Sequence, residues 1–238
     1  SSIEIRKEYM APVAEEFPHL EVIPYVIPGR SGTQILPEDV ALLHRDHDNV
    51  NAVKEASGDM DNIRRTRECC GDSMAILSGN DGQTFDMMTD PKVAGAGGIS
   101  VMSNVFPGAV QRMTEAALNG DEDEAERLCE VLDPMFGSVT VRTQEASPWG
   151  ERLCKSRNPV PVKTLMRVLG MPVGGVRRAL GRMTGKGVAK LMEAARAVWD
   201  NDPDVYRPIA EAFDVDVEKR LHDDAVPGEL IYSDDELS

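Results

Sequence analysis

The chain has 238 residues, 41% of them hydrophobic, enough for one large domain or a domain with an extension, and too apolar for global disorder. Against 26 Lys and Arg stand 41 Asp and Glu, a net charge of −15, which argues against nucleic-acid binding because phosphate contacts need a basic face. No stretch approaches the roughly 18 consecutive apolar residues of a membrane span, and residues 1–7 carry no apolar signal core.

In chain order, residues 21–25 read as a first strand and residues 37–45 as a helix with proline in its first turn. Residues 49–54 form the next expected strand, residues 59–70 an arginine-rich helix, and residues 74–77 a third strand closed by Ser78-Gly79-Asn80-Asp81. A short helix is expected over 83–88, a fourth strand over 98–102, and a helix over 107–118 that stops at Asn119-Gly120. Strand and helix alternate at about 25 residues, the mark of βαβ units and a parallel sheet with right-handed crossovers.

Beyond Gly120 no further strand is expected. Helical spacing recurs after Asp121 and over 161–169 and 187–199, and the last dozen residues look polar and frayed. The reading is therefore α/β over residues 1–120 and an all-helical extension with an acidic tail over 121–238. Four parallel strands cannot close a barrel that needs eight, so the first part is either a half-barrel or a small open sheet. The chain lacks an initiator Met and reads as if cut from something longer.

From Arg152 to Lys190 there are ten basic residues and no acidic one, whereas Asp223, Asp224, Glu229, Asp234, Asp235 and Glu236 stand without a nearby Lys or Arg. The basic stretch either faces acidic surface of the same molecule or oligomer, or meets an anionic ligand or partner. Cys69, Cys70, Cys129 and Cys154 form no CxxC pair; reduced thiols and the missing secretion signal point to the cytoplasm. His44 and His47 could share a helix face but lack a nearby third ligand, so no metal is expected.

Reactive groups in parallel β/α folds gather at the C-terminal ends of strands. There the sequence places Tyr25, Arg30, Lys54, Gly79 and Ile99. A lysine closing an apolar strand sits where water is scarce, which favours the free amine that imine formation requires. A tyrosine on the adjacent strand could move protons, and an arginine offers a fork for a carboxylate. The same side chains could equally be a rim lysine, a core tyrosine and a turn cap.

Five motifs decide between these readings: Tyr25-Val26-Ile27-Pro28-Gly29-Arg30-Ser31-Gly32, Val53-Lys54-Glu55-Ala56-Ser57-Gly58-Asp59, Leu77-Ser78-Gly79-Asn80-Asp81, Gly98-Ile99-Ser100-Val101 and Asn158-Pro159-Val160-Pro161-Val162-Lys163. In this order and spacing they resemble the dihydrodipicolinate synthase / N-acetylneuraminate lyase family, the pyruvate-dependent class I aldolases, over residues 5–171. The resemblance implies a TIM (β/α)8-barrel family, with the four strands matching the fifth to eighth. It implies that Lys54 forms an imine with pyruvate, that Tyr25 relays protons, that Arg30 binds the second substrate's carboxylate, and that Gly79 and Ile99 line the pocket. Arg30 favours condensation of pyruvate with aspartate semialdehyde to 4-hydroxy-tetrahydrodipicolinate, in lysine biosynthesis, over a 2-keto-3-deoxy sugar-acid aldolase. No cofactor is implied, and a homo-oligomer, dimer or tetramer, is. The family's Gly-Thr-Thr-Gly-Glu motif and second tyrosine do not occur in these 238 residues, and Val26 stands where the family has asparagine. These departures leave a truncated, non-catalytic homologue as the other reading.

Overall fold

A computed structural model describes residues 1–223, 228–233 and 236. It divides into two compact units, one of Ser1–Ser100 with Met113–Glu126, the other of Val101–Arg112 with Arg127–Ser238.

The first unit opens with a continuous helical path, α1 (Ser2–Glu4), a π-helical stretch (Ile5–Met10) and α2 (Ala11–Glu16). The Asn49 amide ties off its end by donating to the carbonyls of Ala14, Phe17 and Leu20 at 3.0–3.1 Å, so the orphan carbonyls of the last turn are satisfied. Then follow β1 (Tyr25–Val26), α3 (Pro28–Ser31), α4 (Pro37–Asp46), β2 (Ala52–Glu55), α5 (Met60–Cys70), β3 (Ala75–Ser78), α6 (Thr84–Thr89) and β4 (Gly97–Gly98). The four strands form one parallel sheet in the order β1-β2-β3-β4. Val26, Val53 and Ile76 on one face pack with Ile35, Val40, Ile63 and Met87 into a buried cluster. The register aligns Tyr25, Lys54, Leu77 and Gly97 on the opposite face.

The outer strands are shorter than the sequence suggests. Pro24 has no N–H for a ladder, so β1 begins at Tyr25. After β4 the Ile99 amide still donates to Ser78 at 2.8 Å, but Val101 turns into helical geometry and a short 3-10 turn, Met102–Asn104, replaces the expected continuation.

α7 (Pro107–Leu118) and α8 (Glu122–Phe136) run across the division between the units. The second unit adds β5 (Thr140–Glu145), β6 (Arg152–Arg157), α9 (Val160–Val168), α10 (Gly185–Asn201), α11 (Arg207–Phe213) and α12 (Val217–His222). β5 and β6 form an antiparallel hairpin, which corrects the expectation of an all-helical second half. The buried face of β5 is Val141, Thr143 and Glu145, so its period-two alternation carries only one apolar residue and leaves no strand signal. Of the last dozen residues, expected to be frayed, Gly228–Leu230 form a 3-10 turn with Leu230 buried. Asp224, Asp234 and Asp235 of the acidic tail lie outside the described residues. Among the described residues no helix is long and apolar enough to cross a membrane.

Candidate active site

The site sits at the C-terminal end of the sheet in the first unit. β2 delivers Lys54 and β1 delivers Tyr25, which are direct register partners on adjacent strands. The Lys54 Nζ lies over the Tyr25 ring, 4.0 Å from its centroid, on the ring face rather than on the hydroxyl. Lys54 is half-buried and the tyrosine is 43% exposed, so the pair borders solvent while its backbone stays in the ladder.

Gly79 decides the room available to the lysine. A Cβ there would stand 2.9 Å from the Lys54 Cε, 2.8 Å from the Ala56 Cβ and 3.1 Å from the Glu55 carbonyl oxygen. The Gly79 amide donates to that same carbonyl at 2.6 Å, so the backbone is pinned and only glycine lets the lysine stem pass. Arg30 lies exposed on the single helical turn α3, closed by Gly32 at φ +69°, directly after β1. Ile99 follows β4 and is 41% exposed. Tyr25, Lys54 and Gly79 are thus in contact range, while Arg30 and Ile99 stand at the same end of the sheet beside its two outer strands.

Sequence reading missed the layer behind the lysine. Glu55, one residue on, points to the other face and is 1% exposed. Its carboxylate accepts from Ser57 Oγ at 3.1 Å and from Asn62 Nδ2 and Thr66 Oγ1 at 3.4 Å. Burial pushes its carboxyl above the usual glutamate range, outweighing the hydrogen bonds from Ser57 and Thr66. The Gln34 amide in turn donates to Asn62 Oδ1 at 3.5 Å, so one polar chain runs from the loop beyond Arg30 to the strand that carries Lys54. The signal available was the Lys54-Glu55 dipeptide itself: in a strand, adjacent charges face opposite sides, and one must then be buried.

Among the described residues no three His, Cys, Asp or Glu side chains gather to hold a metal. His44 is engaged on both nitrogens, by the Val50 carbonyl at 2.6 Å and Ser73 Oγ at 2.9 Å, so it fastens α4 to the strand segments. The Cys70 thiol is pushed up to about 11 by burial, which keeps it from acting as a thiolate.

The sequence profile of the Dihydrodipicolinate synthetase family matches residues 2–198. The chain belongs to that family. The match runs past residue 171, where the motif resemblance ends, and includes most of α10. Among curated relatives, the 4-hydroxy-tetrahydrodipicolinate synthase of Thermoanaerobacter sp. (strain X514) is 35% identical over 172 residues, 72% of this chain and 52% of that protein. The enzyme of the same name from Methanothrix thermoacetophila is 32% identical over 194 residues, 81% of this chain and 59% of that protein. The solved 4-hydroxy-tetrahydrodipicolinate synthase of Methylacidiphilum fumariolicum SolV superposes with a TM-score of 0.74 at 26% identity, covering 87% of this chain and 63% of that one. Dihydrodipicolinate synthase from Aquifex aeolicus gives 0.70 at 30%, covering 82% and 60%. The chain thus spans about half the length of the curated relatives it matches.

Proposed function

We propose that this chain carries the Schiff-base half of a 4-hydroxy-tetrahydrodipicolinate synthase, condensing pyruvate with aspartate semialdehyde. The observation that carries the reading is the Lys54 amine lying against Tyr25 at the open end of a parallel sheet, in a family whose curated relatives bear that activity in their names. The four strands, in the order β1 to β4, correspond on this reading to the second half of an eight-stranded barrel, which fits the share of each relative that is covered.

The Lys54 nitrogen attacks the ketone carbon of pyruvate. One amine hydrogen passes to the ketone oxygen, the resulting hydroxyl leaves as water with a proton from Tyr25, and a protonated carbon–nitrogen double bond that keeps the other hydrogen remains. The protonated imine draws electrons from the methyl group, which loses a proton to give an enamine. That carbon then bonds to the aldehyde carbon of the second substrate, whose oxygen takes a proton as the protonated imine re-forms, and addition of water to the imine carbon releases the product and frees the Lys54 amine. Arg30 holds the second substrate's carboxylate, and Gly79 and Ile99 line the cavity. Within the family, Arg30 supports aspartate semialdehyde over a sugar-acid aldehyde as the preferred partner.

Treating the chain with pyruvate and borohydride tests the assignment. One carboxyethyl adduct on Lys54, found by peptide mass spectrometry, is the expected result, and Tyr25→Phe should slow its appearance by about 10²-fold. A folded sample with no adduct on Lys54 overturns the reading and leaves the non-catalytic homologue.

A further inference from the structure

The second unit contains a cavity of about 470 Å³ bordered by α9 and the segment that follows it. Four cations line it: Lys163 and Arg167 from α9, Arg178 and Arg182 from the segment. They belong to the stretch that holds ten of the 26 basic residues of a chain whose net charge is −15, so the concentration runs against the molecule's overall field.

Their partners explain part of the arrangement. Lys163 Nζ donates to the Gly175 carbonyl at 2.8 Å. Arg167 pairs with Glu229 and Arg182 with Glu236, both from the C-terminal segment. The Arg182 guanidinium also stacks on the Tyr232 ring, 4.7 Å from its centroid, and donates to the Ile231 carbonyl at 3.0 Å. That segment is docked through backbone bonds, Met183 N–H to the Leu230 carbonyl at 3.3 Å and Tyr232 N–H to the Met183 carbonyl at 3.0 Å. Arg178 has no carboxylate partner among the described residues. Among the described residues, Glu229 is the carboxylate on the lining of this concave, half-open space, against four cations. The guanidinium forks suit carboxylate and phosphoryl oxygens alike.

We propose that this cavity binds a small anion bearing two or more carboxylate or phosphoryl groups, which exchanges with Glu229 for the Arg167 guanidinium. Glu229 is then an internal competitor presented by a docked segment. The site uses neither Lys54 nor Tyr25, so its occupancy does not depend on the lyase reading.

Isothermal titration calorimetry of the whole chain at fixed ionic strength, with inorganic pyrophosphate and with succinate as separate probes, tests the proposal. At least one probe is expected to bind with one-to-one stoichiometry, and comparing the two tells phosphoryl from carboxylate preference. Glu229→Gln should tighten binding by about tenfold and Arg178→Gln should weaken it by about tenfold. Because Arg178 is exposed and makes no ion pair among the described residues, its replacement leaves the fold intact and keeps the test valid if Glu229→Gln perturbs the segment. Lys92→Gln, the same charge change on an exposed residue of the first unit, should leave affinity unchanged. The proposal is overturned if neither probe binds the parent or Glu229→Gln, if Arg178→Gln binds as the parent does, or if Lys92→Gln weakens binding equally.

Discussion

At the scale of single residues, the proposed site rests on what is missing from Gly79 as much as on the Lys54 amine. Any Cβ at that position meets the lysine stem within 2.9 Å, and the pinned backbone cannot retreat. Gly79→Ala should therefore displace the amine by a fraction of an ångström to an ångström and slow borohydride trapping by roughly 10²-fold. Overpacking should add a stability loss of about 1–3 kcal/mol, read by denaturant unfolding. Glu55 gives a second handle through pH. Its carboxyl is raised by burial, so as pH climbs past the ordinary glutamate value the unfolded chain has released its proton while the native state retains it. Stability then falls with rising pH through that window and is highest below it. Glu55→Gln should flatten the slope, its midpoint gaining on the parent's as pH rises; parallel slopes for the two proteins would contradict this account.

At the scale of elements, Arg67 shows how α5 is fixed to the sheet. Its guanidinium donates to four backbone carbonyls, Gly71 at 2.5 Å, Met74 and Val93 at 2.8 Å and Ala94 at 3.3 Å, joining the helix end to the approach to β3 and to the loop before β4. A lysine cannot reproduce that fork, so Arg67→Lys should cost about 1.5–3 kcal/mol and lower the thermal midpoint by roughly 4–10 °C. The α/β part was legible in the sequence because its strands are apolar runs and its helices carry starts and stops: α4 opens on proline, α5 is capped by Asp59, and α7 ends before Asn119-Gly120. The strand-end positions of Lys54, Tyr25 and Gly79 were legible in the sequence, whereas the roles proposed for them rest on the motif resemblance, because the residues alone fitted a rim lysine and a core tyrosine equally well. The hairpin β5–β6 was not, since it buries Thr143 and Glu145 where a strand pattern needs apolar residues. Thr143 instead finds the Thr184 hydroxyl at 3.2 Å, a tertiary partner that no local pattern announces. The initial helical path was hidden by Pro12 and by the charges crowded into residues 4–8.

At the scale of the whole molecule, residues beyond the family match contribute core rather than ornament. Tyr206 is fully buried, edge-on to Phe106 at 4.9 Å and tilted against Trp199 at 5.7 Å, and its hydroxyl donates to the Ala195 carbonyl at 2.7 Å. Ile209, Val217, Leu221 and Leu230 are buried after it. Removing residues 203–238 should therefore unfold the second unit, whereas Tyr206→Phe, which loses only the hydroxyl, should cost about 1 kcal/mol; limited proteolysis distinguishes the two outcomes. The placement of aromatic residues has a practical consequence. Both tryptophans belong to the second unit, with Trp149 at the hairpin tip 92% exposed and Trp199 against Tyr206, while the Lys54 end of the sheet has none. Indole emission will follow one unit and be silent on the other, and a soluble quencher will reach Trp149 first. Overlaying emission with far-ultraviolet ellipticity during denaturation thus becomes a direct reading of whether the two units melt together or in turn.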